Sequence, residues 1–230
     1  MYNLSKRLGV IASLVKQGAR VCDVGTDHGY LPIALKKSGL ASSVIATDLR
    51  EGPLSNAAEN IALSGVNGIE LRLCDGLDSV SSNETDTVVI AGMGGEVISG
   101  IIARCDWLKN DGITLILQPT TSPEFLRRFL YSNGFEIQKE PAVIECGKAY
   151  SVMKVRFTGK AYALPEHFYY IGKVDTLEND GIEYLNRQYK RCKNCADALA
   201  NNADNKEKFN YYKSVAEKLR EVIGGEESGI

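Results

Sequence analysis

Residues 19–35 read Ala-Arg-Val-Cys-Asp-Val-Gly-Thr-Asp-His-Gly-Tyr-Leu-Pro-Ile-Ala-Leu: a β-rich run, a glycine-bearing turn and an apolar helical segment in direct succession. A strand that ends at a glycine and feeds straight into a helix is the opening unit of a nucleotide-binding α/β fold, which commits the chain to a parallel sheet. The glycine spacing then selects the nucleotide. A dinucleotide site needs Gly-x-Gly-x-x-Gly, so that bare backbone can approach a pyrophosphate. Counted from Gly25, the later glycines are replaced by Asp27 and Tyr30. A carboxylate in the turn repels a pyrophosphate, which argues against NAD and FAD. It suits the sulfonium and ammonium groups of S-adenosyl-L-methionine. Asp23, Gly25, Asp27 and Gly29 are therefore expected at the methionine end of such a site.

Two further acids stand at strand ends. Val44-Ile45-Ala46-Thr47-Asp48 closes on a carboxylate about 20 residues past the turn, the spacing at which a ribose-binding acid is found. Asp75 ends the run Ile69–Cys74 and is expected near the adenine amino group. Any one of these acids is as well explained by a turn cap. Their recurrence at successive strand ends favours a site.

Apolar strands alternate with helical patterns, the signature of βαβ units. The predicted strands are 20–24, 44–48, 69–74, 87–91 and 112–117, with helices over 30–38, 53–64, 96–105 and 123–133. A last hairpin pairs 135–145 with 149–157. This is an α/β fold, a class I Rossmann-like methyltransferase sheet that is parallel with an antiparallel terminal hairpin. Past Pro165 no strand-like run follows. Helical spacing of Leu177, Ile182, Tyr184, Leu185 and Tyr189, then of Phe209, Tyr212, Val215, Leu219 and Val222, predicts a C-terminal helical hairpin that reverses at 201–205. Residues 1–160 are assigned to a cofactor-binding catalytic domain and 161–230 to a helical, coiled-coil-like domain. Residues 224–230 are expected to be disordered.

A net charge of −2 excludes a globally basic nucleic-acid binder. Locally, however, Lys6, Arg7, Lys16, Arg20 and Lys36 outweigh the acids of the first forty residues, and Arg187, Lys190, Arg191 and Lys193 cluster on the tail. Both groups are candidates to hold a polyanion. Taken singly, each reads equally as a solvated helix face. The opening stretch is too interrupted by charge for a signal peptide, and no apolar run reaches bilayer length, so a cytoplasmic protein with no membrane partner is expected. Six scattered cysteines agree with a reducing compartment. Cys192 and Cys195 have half the spacing of a zinc site but no second ligand pair, so no metal is expected. Nothing in the sequence sets an oligomeric state.

The segments Leu4-Ser5-Lys6-Arg7-Leu8, Asp23–Pro32, Thr47-Asp48, Cys74-Asp75-Gly76, Ala91-Gly92-Met93-Gly94-Gly95-Glu96 and Leu117-Gln118-Pro119 together resemble the TrmK family, bacterial enzymes that methylate N1 of the adenine at tRNA position 22. The resemblance implies a catalytic Rossmann-like domain, a helical C-terminal domain, S-adenosyl-L-methionine as cofactor and tRNA as partner. Beside it, the residues themselves lack the Asp/Asn-Pro-Pro-aromatic element with which exocyclic-amine methyltransferases hold their target. A ring nitrogen with a free lone pair fits better, and it needs alignment rather than a general base. The base pocket is expected at Gly92, Met93, Gly94, Gln118 and Pro119. His28 sits at its mouth, where it contacts substrate or merely caps a helix. Tyr30 reads as packing first. Two alternatives stay open at this point: a small-molecule methyltransferase, and a non-catalytic cofactor-binding protein.

Overall fold

The computed structural model describes residues 4–200 and 205–224. Seven strands form one sheet in the order β3-β2-β1-β4-β5-β9-β6. They are β1 (Ala19–Val24), β2 (Ala41–Asp48), β3 (Ile69–Leu73), β4 (Thr87–Gly94), β5 (Thr114–Thr121), β6 (Phe135–Lys139) and β9 (Met153–Phe157). The first five are parallel, whereas β9 runs antiparallel between β5 and β6. Helices α1 (Lys6–Ser13), α2 (Tyr30–Lys37), α3 (Glu51–Ser64), α4 (Gly95–Ala103) and α5 (Pro123–Ser132) connect and cover the strands.

Central strands of a sheet covered on both faces are buried on both, which is why β1 from Val21 to Val24 and β4 from Thr87 to Ile90 have no exposed residue. One core packs Val88, Ile90, Leu115 and Leu117 with Ile98, Leu126 and Leu130 of α4 and α5. The other packs Val21, Val44, Val89 and Ile116 with Ile11 and Leu35 of α1 and α2.

Three expectations need correction. The terminal hairpin is broken: β6 pairs with β9, while β7 (Ala142–Glu145) and β8 (Lys148–Ser151) form a separate two-stranded sheet. The break falls at Glu140-Pro141, where proline has no N–H for the ladder and Glu140 turns into the protein interior. Strand β4 continues through Gly92–Gly94, past the predicted end at residue 91, with an irregular register. The tail begins with a short helix, α6 (Glu166–Ile171), ahead of the paired α7 (Asn179–Leu199) and α8 (Lys206–Gly224). The reversal expected at 201–205 and the disorder expected beyond Gly224 fall almost wholly outside the described residues.

The helical tail is fastened to the sheet by one buried ion pair. Arg127 of α5, with no exposed surface, donates to Glu140 at 2.7 and 2.9 Å, to the Tyr184 hydroxyl of α7 at 2.8 Å and to the Tyr169 carbonyl of α6 at 2.5 Å. Burial alone would pull the guanidinium towards neutrality; the Glu140 charge opposes that and keeps it charged.

Candidate cofactor and base pocket

In an open α/β sheet, ligands bind at the carboxyl ends of the strands where the strand order reverses. Here that point lies between β1 and β4. A cavity of about 610 Å³ opens there, lined by Asp23, Gly25, Asp27, His28, Tyr30 and Asp48 on one side and by Arg7, Ala91, Gly92, Met93 and Glu145 on the other. A larger hollow of about 890 Å³ lies between the hairpin and the start of α7, walled by Lys6, Lys139, Glu140 and Asp180. It has neither a strand-end turn nor the sheet's switch point, so the first cavity is the candidate site.

The turn after β1 is shaped by backbone alone. Gly25 stands at φ 76° and Asp27 at φ 48°, in the left-handed region that glycine, and to a lesser degree aspartate, tolerates. The Gly25 and Thr26 N–H groups donate to the Thr47 carbonyl at 2.8 and 3.0 Å, tying the turn to the end of β2. A methyl group added at Gly25 would push aside the flexible end of the Met93 side chain, and the φ of 76° strains any side chain there. Gly29 differs: it faces Ala57 of α3 and serves packing rather than the cavity wall.

Asp23 and Asp48 are 5% and 9% exposed. Burial pushes the Asp23 carboxyl up to about 6; the Thr26 hydroxyl pulls it back and the nearby Asp48 charge adds to the rise, but no cation contributes. Asp48 accepts from the Arg50 N–H at 3.0 Å. The floor of the pocket therefore carries buried carboxylates with no ion-pair partner among the described residues, an acceptor set suited to a sulfonium, an ammonium and ribose hydroxyls.

The opposite wall is a strand irregularity. Register slips between Ala91 and Met93, and the Gly92 N–H donates to Gln118 Oε1 at 3.1 Å. Arg7 Nη1 donates to the same oxygen at 2.6 Å, and Gln118 Nε2 to the Pro119 carbonyl at 2.8 Å. Gln118 is fully buried, so it holds the Gly92 bulge from behind and does not line the cavity; Pro119 lines a separate small cleft. Arg7, expected on an RNA-binding surface, is instead a wall of this pocket. Glu145 arrives from the tip of β7 and accepts from the Arg7 N–H at 2.9 Å. Burial works to raise its pKa, but this bond, the Ser5 hydroxyl and the Arg7 charge hold it below the usual range.

Other expected residues are placed elsewhere. Asp75 is near half exposed and clasped by Arg104 in two bonds of 2.9 Å, outside the cavity. The basic set does not form one surface. Lys16, Arg20 and Lys36 lie at the amino edge of the sheet, with Arg20 bound to Asp86 and Lys36 to the Ser42 carbonyl. Lys6 pairs with Asp180 at 2.7 Å. Arg187, Lys190, Arg191 and Lys193 stand mid-helix in α7; Arg187 pairs with Glu183, Arg191 with Glu124 and Lys193 with Asp197. Sequence reading missed Ser5, Leu8, Arg50 and Glu145. Ser5 was signalled as the N-cap of α1, its hydroxyl accepting from Leu8 N–H at 3.3 Å. Nothing local marks Glu145, which meets Arg7 across 138 residues of chain. Among the described residues no group of His, Cys, Asp and Glu is arranged to hold a metal, and no helix is long and apolar enough to cross a membrane.

A parallel sheet closed by one reversed strand, with an acidic, glycine-turned pocket at its switch point, defines a class I methyltransferase scaffold. Residues 4–153 match the methyltransferase domain family. The tRNA (adenine(22)-N(1))-methyltransferase of Bacillus subtilis is 36% identical over 151 residues, 65% of this chain and 63% of that protein's length. The crystal structure of the B. subtilis M1A22 tRNA methyltransferase TrmK superposes with a TM-score of 0.84 at 30% identity, covering 97% of this chain and 100% of that one. M. capricolum TrmK, solved with S-adenosyl-homocysteine, gives 0.78 at 26% identity over 96% of this chain and 98% of that one. The chain belongs to the TrmK family of methyltransferases.

Proposed function

We propose that this protein transfers a methyl group from S-adenosyl-L-methionine to N1 of the adenine at tRNA position 22, in the cytoplasm. The observation that carries the reading is the pocket floor, buried carboxylates without a cationic partner beside a turn that leaves no room for a pyrophosphate's charge. Asp23, Gly25 and Asp27 hold the methionine end and Asp48 the ribose. Gly92 and Met93 form the wall against which the target base lies, and Gln118 fixes that wall from behind. When bound, the cofactor supplies an electrophilic methyl on a sulfonium. Adenine N1 already carries a lone pair, so no side chain has to remove a proton, and alignment supplies the rate. Positive charge moves from sulfur to the base in the transfer; the acidic lining that favours the first favours the second. Residues 1–160 act as the catalytic domain and 161–230 as a helical domain that helps hold the tRNA, with Lys190 among its phosphate contacts.

The test incubates the protein with unmodified tRNA and S-adenosyl-L-methionine, digests the RNA and reads nucleosides by mass spectrometry. One equivalent of 1-methyladenosine is expected with a tRNA bearing adenosine at position 22, and none when guanosine replaces that adenosine. Methylation that survives the replacement, or none on any tRNA, would overturn the reading.

A further inference from the structure

His28 and Tyr30 stack on one another at the lip of the pocket, ring centroids 5.3 Å apart and planes 19° apart. The His28 side chain is 45% exposed and Tyr30 43%. An aromatic pair half open to water, one residue before the buried Leu31, presents ring surface that packing alone does not use. The pair is also held rigidly. Tyr30 opens α2, His28 sits between two left-handed residues, Asp27 and Gly29, and its carbonyl accepts from Asn60 Nδ2 at 2.9 Å.

We propose that His28 and Tyr30 form a stacking platform for the nucleobase adjacent to the target adenine, an inference that rests on the tRNA reading above. The target base itself has to leave its helical stack and enter the pocket, where N1 meets the methyl group beside the Gly92–Met93 wall. Rings that remain nearly half exposed stand at the rim of that cavity. Extruding one base strips its neighbour of a stacking partner, and an exposed aromatic face replaces it without regard to sequence. Such a face strengthens binding by about fivefold to a hundredfold per base.

The test uses full-length protein and tRNA carrying 2-aminopurine at position 21, 22 or 23. Quenching on binding is expected at 21 or 23, lost in Tyr30→Ala and Tyr30→Leu and retained in Tyr30→Phe. The KM for tRNA should rise about tenfold in the first two variants, with S-adenosyl-L-methionine affinity within about twofold of wild type. Tyr30→Leu keeps apolar bulk at the start of α2, so a folding defect of the alanine variant does not decide the outcome. Quenching confined to position 22, quenching indifferent to Tyr30, or an equal loss of cofactor affinity overturns the platform. If the wild type forms no 1-methyladenosine at position 22, the tRNA reading fails instead, and the two failures are told apart by that control.

Discussion

Glu140 and Asp23 are buried to the same depth, 3% and 5% exposed, yet the molecule treats them in opposite ways. Glu140 accepts from Arg127, Ser151 and the Lys173 N–H, so its charge is satisfied wholly within the protein. Asp23 is buried with another acid beside it and, among the described residues, no cation acting on it. A satisfied buried charge fastens one part of a fold to another. An unsatisfied one is held by the surrounding fold at a cost in stability, and it is relieved only when a ligand brings the complementary charge. The first belongs to architecture and the second to function.

Breaking the satisfied pair should have the largest effect. Arg127→Ala leaves Glu140 buried alone and is expected to cost about 3–5 kcal/mol of stability, read as a large fall in thermal midpoint. A midpoint near wild type would mean that water reaches Glu140 and that the comparison fails. Breaking the ligand-facing side should do the reverse. Asp48→Ala is expected to weaken S-adenosyl-L-methionine binding about tenfold to a hundredfold by calorimetry with little change in folding, since a charge-assisted bond to the ligand is lost. Unchanged affinity would remove Asp48 from the site.

Asp23 makes the comparison depend on pH. Its folded pKa, about 6, lies above that of an unfolded aspartate, so the folded state holds the extra proton. Its stabilising contribution is complete below the unfolded value and lost as pH rises through about 6. Cofactor binding, which needs the carboxylate, should run the other way and weaken as pH falls below about 6. Asp23→Asn is expected to raise the neutral-pH melting temperature, weaken binding and flatten that pH dependence; a variant that still titrates near pH 6 would place the titration on another group. The smallest effect is expected at Asp75, whose surface pair with Arg104 is worth little. Asp75→Ala should change cofactor affinity by less than about twofold, and a loss as large as that of Asp48→Ala would return Asp75 to the adenine end of the pocket.

The sheet was legible because its strands announce themselves through apolar runs, and each βα unit through a local turn. The acidic turn at 23–29 and the carboxylate of Asp48 were legible for the same reason: strand, turn and acid are neighbours in the chain. Gln118 was noticed but misplaced, because whether a side chain at a strand end faces the cavity or backs its wall depends on the register slip at Gly92. The basic residues were legible only as charges. Nothing in their order reveals that Arg20 and Lys36 stand at the opposite edge of the sheet from the pocket, or that Arg187, Arg191 and Lys193 are each occupied by an acid.

Within α6 the limit is sharpest. Phe168 and Tyr169 pack into the core of the sheet, while the next residue, Tyr170, packs into the core between α7 and α8. A composition change near residue 160 cannot show this, because consecutive helical residues point about 100° apart and the partner of each is set by what lies across from it. By itself the sequence determined the parallel strands, the cofactor class and the placing of Asp23, Asp27 and Asp48 at or just beyond strand ends, all consequences of local periodicity and turn chemistry. Only the tertiary structure decided that Arg7 and Glu145 close the pocket and that Arg127 binds the tail, because those are encounters between distant segments, and an encounter is fixed by packing rather than by pattern.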